Sequence, residues 1–180
     1  MDARALSSKI SVAPQITADD VAKAKAAGFR AIICNRPDGE GADQPAFAEI
    51  AAAAKKAGLE TRYLPIVSGK VSDDDATDFG KALIELPGPV LAYCRTGTRS
   101  ATLWSLAMAG DKPLPDILQA AKGAGYDMAG VVRRIANGGK TPTDTGDAQF
   151  DVVIVGGGTA GWLTACVLAA EFQLSDDFSI

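Results

Sequence analysis

An α/β fold is what this sequence predicts, with a mainly parallel sheet of four to five strands flanked by helices. Four short apolar runs, at residues 10–13, 29–34, 59–67 and 90–93, are separated by segments of helical length. Strands alternating with helices at that spacing build a mainly parallel sheet covered on both faces. The run at 29–34 is apolar and isoleucine-rich, as a strand buried on both sides should be. Helix-capping residues stand where the pattern switches from strand to helix, at Thr17 and at Ser72.

Residues 1–8 are polar and read as loose; the first strand is expected at 10–13, closed by Pro14. Thr17 is an N-cap followed by Asp19 and Asp20 in the first turn, where carboxylates complement the helix dipole. Ile16 and Val21 occupy the two positions of a hydrophobic staple. That helix runs over 18–27 and stops at Gly28, a residue free to take the left-handed conformation. Cys34 lies inside the second strand and reads as core. Residues 35–41 form a turn-rich loop carrying Arg36, Asp38 and Glu40. The loop leaves the C-terminal end of its strand, the edge at which open α/β sheets bind ligands. Residues 45–57 are alanine-rich and helical, and a third strand is expected within 59–67. Asp73, Asp74 and Asp75 open the next helix, so their carboxylates have a structural task there. Helices are expected again at 100–109, with Leu103, Trp104 and Leu106 on a core face, and at 115–122 and 128–136.

The chemistry concentrates in Cys94-Arg95-Thr96-Gly97-Thr98-Arg99-Ser100, which joins the strand at 90–93 to its helix. A strand feeding a tight loop at a helix N-terminus points several backbone N–H groups at one place and so cradles an anion. At the rim of such a cradle, beside Arg95 or Arg99, a cysteine is expected to ionise; comparable settings lower a thiol pKa to roughly 3.5–7.5. Two arginines and two threonines around one glycine would fill a core badly. The chain contains no histidine. That removes Ser-His-Asp and Cys-His catalysis and the usual zinc sites, so any nucleophile here is activated by its own loop, and no metal is expected.

This heptapeptide resembles the active loop of rhodanese-like sulfurtransferases and of cysteine-dependent phosphatases. The closer likeness is to the phosphatase-like domain of beta-lactamase-hydrolase-like proteins, a family with a dual-specificity-phosphatase fold. The likeness extends over about residues 10–137 and includes Ile10-Ser11-Val12-Ala13-Pro14-Gln15 and Cys34-Asn35-Arg36-Pro37-Asp38-Gly39-Glu40. It implies Cys94 as nucleophile, Arg99 as oxyanion clamp and Ser100 as an aid to breakdown of the covalent intermediate. Arg95, Thr96, Gly97, Thr98 and Arg36 would bind an anionic substrate. The phosphatase signature has five residues between cysteine and arginine; here Arg99 comes after four, the length of the rhodanese-like loop. Dual-specificity phosphatases also place a catalytic acid in a loop after the third strand, and here Pro65-Ile66-Val67-Ser68-Gly69-Lys70 carries no carboxylate. The expectation is therefore a sulfurtransferase that holds a persulfide on Cys94. A phosphatase-like hydrolase using the same cysteine is the alternative, and a non-catalytic anion-binding module of a flavoprotein is a third reading.

Residues 138–149 lack apolar periodicity and read as a linker, leaving 1–137 as the first domain. Residues 150–155 then form a strand, followed by Gly156-Gly157-Gly158-Thr159-Ala160-Gly161 and a helix. This is the dinucleotide fingerprint in its structural context. Gly156 allows the tight turn, Gly158 the approach of a pyrophosphate, and Gly161 close packing of helix on strand. The stretch resembles the FAD-binding opening of flavoprotein oxidoreductases, flavin-dependent halogenases especially, and its position after a phosphatase-like domain is similar to fusions with sulfide:quinone-type oxidoreductases. The acidic residue expected to grip the ribose is missing, so 150–180 reads as an incomplete Rossmann-type βα unit. FAD is implied only for a longer parent; the first domain calls for no cofactor.

Of the 180 residues 47% are hydrophobic, with no run of 18 apolar residues to span a membrane and a net charge of −4 that disfavours a nucleic-acid partner. Three cysteines without a secretory leader suit reduced thiols in a cytoplasm. The partners expected are a small anionic sulfur or phosphate substrate and a flavoprotein oxidoreductase domain.

Overall fold

The computed structural model describes residues 1–143. Its elements are β1 (Arg4–Ser7), β2 (Ile10–Ala13), α1 (Ala18–Ala26), β3 (Ala31–Cys34), α2 (Phe47–Ala57), β4 (Glu60–Tyr63), α3 (Asp73–Glu85), β5 (Val90–Tyr93), α4 (Thr98–Ala107), α5 (Leu114–Gly123) and, after a 3-10 turn at Ala129–Val131, α6 (Val132–Ala136). The chain divides into two compact units, Met1–Pro142 and Thr143–Ile180. Gly156, Gly158 and Gly161 lie outside the described residues.

The sheet has the order β1-β2-β5-β3-β4, parallel throughout except for β1. Last of the five in sequence, β5 enters the centre, between β2 and β3. Its register sets Tyr93 opposite both Ala13 and Cys34, and Cys34 opposite Tyr63. Four strands therefore end level, and the loops that leave them meet at one edge.

Two apolar layers cover the sheet. On one face Val21 and Ala24 of α1 and Ile50 and Ala54 of α2 pack on Ile32, Cys34, Leu91 and Tyr93. On the other, Phe79 of α3, Leu103 and Trp104 of α4 and Ile117 of α5 pack on Val12, Ile33, Val90 and Ala92. Alternate residues of β3 and β5 point to opposite layers, which is why both strands are apolar at every position. The core reading of Cys34 holds, and desolvation there pushes its thiol pKa up.

The helix-start signals act as expected. Thr17 and Asp20 close a reciprocal capping box on α1, and Ser72 and Asp75 close another on α3. Asp73 accepts the Thr141 amide and hydroxyl and an Arg134 guanidinium N–H, so the chain is tied to α3 as far as residue 141.

Several boundaries differ from the sequence expectation, three of them near the site or at the sheet edge. The segment expected to be loose contains β1, which pairs antiparallel with β2 and buries Leu6. With one buried residue and a single hairpin partner, it carries too weak a pattern to read. The third strand stops at Tyr63, because Asn35 draws the next residues away from the ladder. The Ile66 amide donates to the Asn35 carbonyl, and the Asn35 side-chain amide donates to the Leu64 carbonyl. The helix expected from residue 100 begins at Thr98, which brings Thr98 and Arg99 into its first turn.

Candidate active site

Gly97 makes the turn into α4. Its φ of +91° lies in the left-handed region that side chains avoid, and a Cβ there would stand 2.8 Å from Cζ of Tyr126 and closer still to its hydroxyl. Unlike α1 and α3, α4 has no side-chain cap, so its first-turn amides face the loop. The Gly97 amide donates to Cys94 Sγ at 3.2 Å. Thr96 and Thr98 link their hydroxyls at 3.0 Å on the exposed side, and the Tyr126 hydroxyl donates to the Thr96 carbonyl at 3.4 Å.

Neighbouring strand ends fix this loop from both sides. Cys94 donates its amide to the Ala13 carbonyl, and Gln15 donates its own to the Arg95 carbonyl. On the β3 side, the Asn35 amide donates to the Tyr93 carbonyl. The buried Ser100 hydroxyl donates to Asn35 Oδ1 at 2.8 Å.

The charges of the site form one chain. Arg99, 8% exposed, donates from Nη1 to Glu40 Oε1 at 2.8 Å and from Nη2 to Glu40 Oε2 at 2.7 Å. The second Nη1 hydrogen goes to the Ile66 carbonyl at 2.6 Å. Glu40 Oε2 also accepts from Arg36 Nε at 2.8 Å, and Arg36 Nη1 donates to Gln15 Oε1 at 3.0 Å. What remains of the Arg99 fork is its side edge, Nε–H and the second Nη2–H, an edge that matches two oxygens of a phosphate or similar anion.

The Arg99 hydrogen bonds, with help from Arg36, hold the Glu40 carboxyl below its ordinary range despite desolvation. Burial opposes the charge on Arg99, but Glu40 and the Cys94 sulfur outweigh it and raise the guanidinium's pKa. The site thus keeps one ionised carboxylate committed to two arginines.

The sequence placed Cys94, Thr96, Gly97, Thr98, Arg99 and Ser100 in one loop; the structure brings them together, with Cys94, Thr96 and Gly97 in the loop and Thr98, Arg99 and Ser100 in the first turn of α4. Arg36 joins them through Glu40, while the Arg95 side chain is exposed at the rim. Sequence reasoning missed Gln15, Glu40 and Tyr126. The Arg36–Glu40 pair at i,i+4 on a sheet-edge loop was a legible hint for Glu40; nothing local marks Tyr126, which arrives from the turn after α5. A second hollow, of about 880 Å³ and lined by Lys9, Ile10, Leu83, Trp104 and Met108, opens at the opposite end of the strands.

A parallel sheet, a cysteine at the end of its central strand and an arginine in the first turn of the helix beyond it define a cysteine-phosphatase-like α/β domain. The chain belongs to the phosphatase-like domain family of beta-lactamase hydrolase-like proteins, whose model matches residues 2–111. The beta-lactamase hydrolase-like protein of Agrobacterium fabrum is 33% identical over 135 residues, 74% of this chain and 31% of that protein. The chain thus spans about a third of the length of this curated relative. A crystal structure from Neisseria meningitidis, of a protein assigned as a phosphatase, has 33% identity and a TM-score of 0.70, covering 77% of this chain and 99% of that one. Another, from Shewanella putrefaciens and likewise assigned, shares the fold at 16% identity and a TM-score of 0.61, covering 77% and 86%. Residues 151–178 match the tryptophan halogenase family model, in line with the flavoprotein likeness of the tail. Among the described residues no helix is long and apolar enough to cross a membrane.

Proposed function

We propose that the first domain is a cysteine-dependent phosphatase-like hydrolase. The observation that carries this reading is the Arg99 fork, pinned end-on by Glu40 with its side edge left for an oxyanion beside Cys94. Membership of a phosphatase-like family supports it over sulfur transfer. Cys94, as thiolate, attacks phosphorus; the P–S bond forms, the P–O bond breaks, and the electron pair leaves with the departing oxygen. First-turn amides of α4 and the Arg99 side edge hold the phosphoryl oxygens as charge builds on them. Water then attacks phosphorus, the thiolate leaves, and the water proton passes to solvent.

Sulfur transfer is the second reading, favoured by the four-residue spacing between Cys94 and Arg99. There Cys94 attacks a sulfane sulfur and keeps it as a persulfide, while the donor leaves as its anion. Both readings are tested on wild type and Cys94→Ser with 4-nitrophenyl phosphate and, separately, with thiosulfate. Cys94-dependent release of nitrophenol supports the hydrolase. A mass gain of one sulfur atom on wild type alone, without phosphate release, overturns it in favour of sulfur transfer. Neither result leaves an anion-binding module.

A further inference from the structure

The site carries a committed carboxylate where a hydrolase of alkyl esters needs a protonated one. The loop after β4 lies over Arg99, since the Ile66 carbonyl accepts from it. Its residues Pro65-Ile66-Val67-Ser68-Gly69-Lys70 include a hydroxyl and an amine but no carboxyl. Glu40 does reach the site, yet both its oxygens accept from Arg99 and one also from Arg36. A carboxyl held below its ordinary range by two guanidinium groups has no proton to give at neutral pH. Asp38 Oδ1 accepts the Phe47 amide at 2.8 Å, serving the start of α2. The Tyr126 hydroxyl donates to the Thr96 carbonyl, and burial raises its pKa.

Resting on the hydrolase reading above, we propose that this site takes phosphate groups whose leaving group departs as a stable anion, namely phosphoanhydrides and aryl phosphates, and discriminates against alkyl phosphate monoesters. In the first step the P–O electron pair stays on the departing oxygen and no proton is delivered to it. A phosphate or phenolate of low basicity leaves readily in that form; an alkoxide does not. General-acid catalysis is worth about 10²–10⁴ in rate, and alkyl esters lose that factor here.

The test uses the whole chain with 4-nitrophenyl, phenyl and ethyl phosphate, and with wild type, Glu40→Gln and Lys70→Ala. The expected result is a fall of at least about 10²–10⁴-fold from the nitrophenyl to the ethyl ester, with no alkaline decline in kcat. Lys70→Ala should leave that leaving-group dependence unchanged. Similar Cys94-dependent rates across the three esters would overturn the inference while sparing the hydrolase reading. So would a bell-shaped pH profile whose alkaline limb vanishes in Lys70→Ala or Glu40→Gln, which would identify that residue as the acid. If no nitrophenyl phosphate is turned over, the hydrolase reading fails and this inference fails with it.

Discussion

Glu40 grips Arg99 across 59 positions of sequence by both ends of its carboxylate, at 2.8 and 2.7 Å, and so decides which edge of the guanidinium faces Cys94. The same oxygen that meets Arg99 Nη2 meets Arg36 Nε. One carboxylate therefore aims two arginines of the proposed anion site and leaves the trio net positive. Removing one partner of a buried pair leaves the other charge uncompensated, at a cost of about 3–5 kcal/mol. Glu40 is partly open to solvent, so the lower end of that range applies. Glu40→Ala is expected to lower stability by about 3 kcal/mol and to reduce turnover more than tenfold. Glu40→Gln keeps the shape of the contact and should lose less of both. Urea midpoints and kcat on the two variants check this; an unchanged kcat in Glu40→Ala would show that Arg99 needs no aiming.

Acid stability depends on the same carboxylate and on Asp20. Both are more acidic folded than unfolded: Glu40 through Arg99, and Asp20, brought to about 2, chiefly through the hydrogen bond from Lys23. A depressed carboxyl contributes stability above its unfolded pKa and loses it as pH falls through the folded value. The stability gap between wild type and Asp20→Asn should be constant above about pH 5 and close as pH drops from the ordinary 3.8 toward about 2. Denaturant midpoints at a series of pH values measure it. A gap that widens on acidification would reverse the sign and defeat the assignment.

The sheet was legible because β3 and β5 are apolar at every position and the caps at Thr17 and Ser72 are local chemistry. The proposed nucleophile was legible for the same reason: Cys94, Gly97 and Arg99 lie within one short stretch, where sequence spacing is close to spatial spacing. Tyr126 was not legible as a site residue, because it reaches the loop from another element; for Glu40 the local pairing with Arg36 was a hint, but its grip on Arg99, 59 positions away, was not. The length of α4 was misjudged at its start. A polar Cys94–Ser100 stretch reads as loop by composition, yet the positive φ of Gly97 lets Thr98 and Arg99 enter the helix at once. That shift matters chemically, since it fixes Arg99 on a rigid element.

Gly97 is constrained twice, by its φ and by the Tyr126 ring, and the two constraints can be separated. Gly97→Ala should cost about 1–3 kcal/mol from backbone strain alone, with the ring contact adding to it. Combined with Tyr126→Ala, the alanine loses its three nearest contacts, all of them to Tyr126, and the backbone part persists. A double-mutant cycle on thermal or urea stability should therefore show positive coupling between the two sites. Strict additivity would mean that the ring gives way freely and does not brace the loop.

Ser100 offers a way to tell a structural hydroxyl from a chemical one. Its Oγ is buried and donates to Asn35 Oδ1, while the Asn35 amide group donates to the Leu64 carbonyl. In this arrangement the hydroxyl hydrogen ties α4 to Asn35 at the end of β3, and Asn35 in turn holds the loop after β4, which also supplies the Ile66 carbonyl to Arg99. Ser100→Ala leaves Asn35 Oδ1 without that donor and should lower stability by about 1–3 kcal/mol. If the hydroxyl acts only in this way, the release of nitrophenol in the first turnover and in steady state should fall together. If it assists departure of the Cys94 thiolate, steady-state turnover alone should fall and a burst equal to the enzyme concentration should appear, as a cysteinyl-phosphate accumulates. Rapid-mixing measurements with 4-nitrophenyl phosphate distinguish the two. The hydrogen bond to Asn35 leads us to expect the parallel fall, and a burst would show that Ser100 exchanges partners during the reaction.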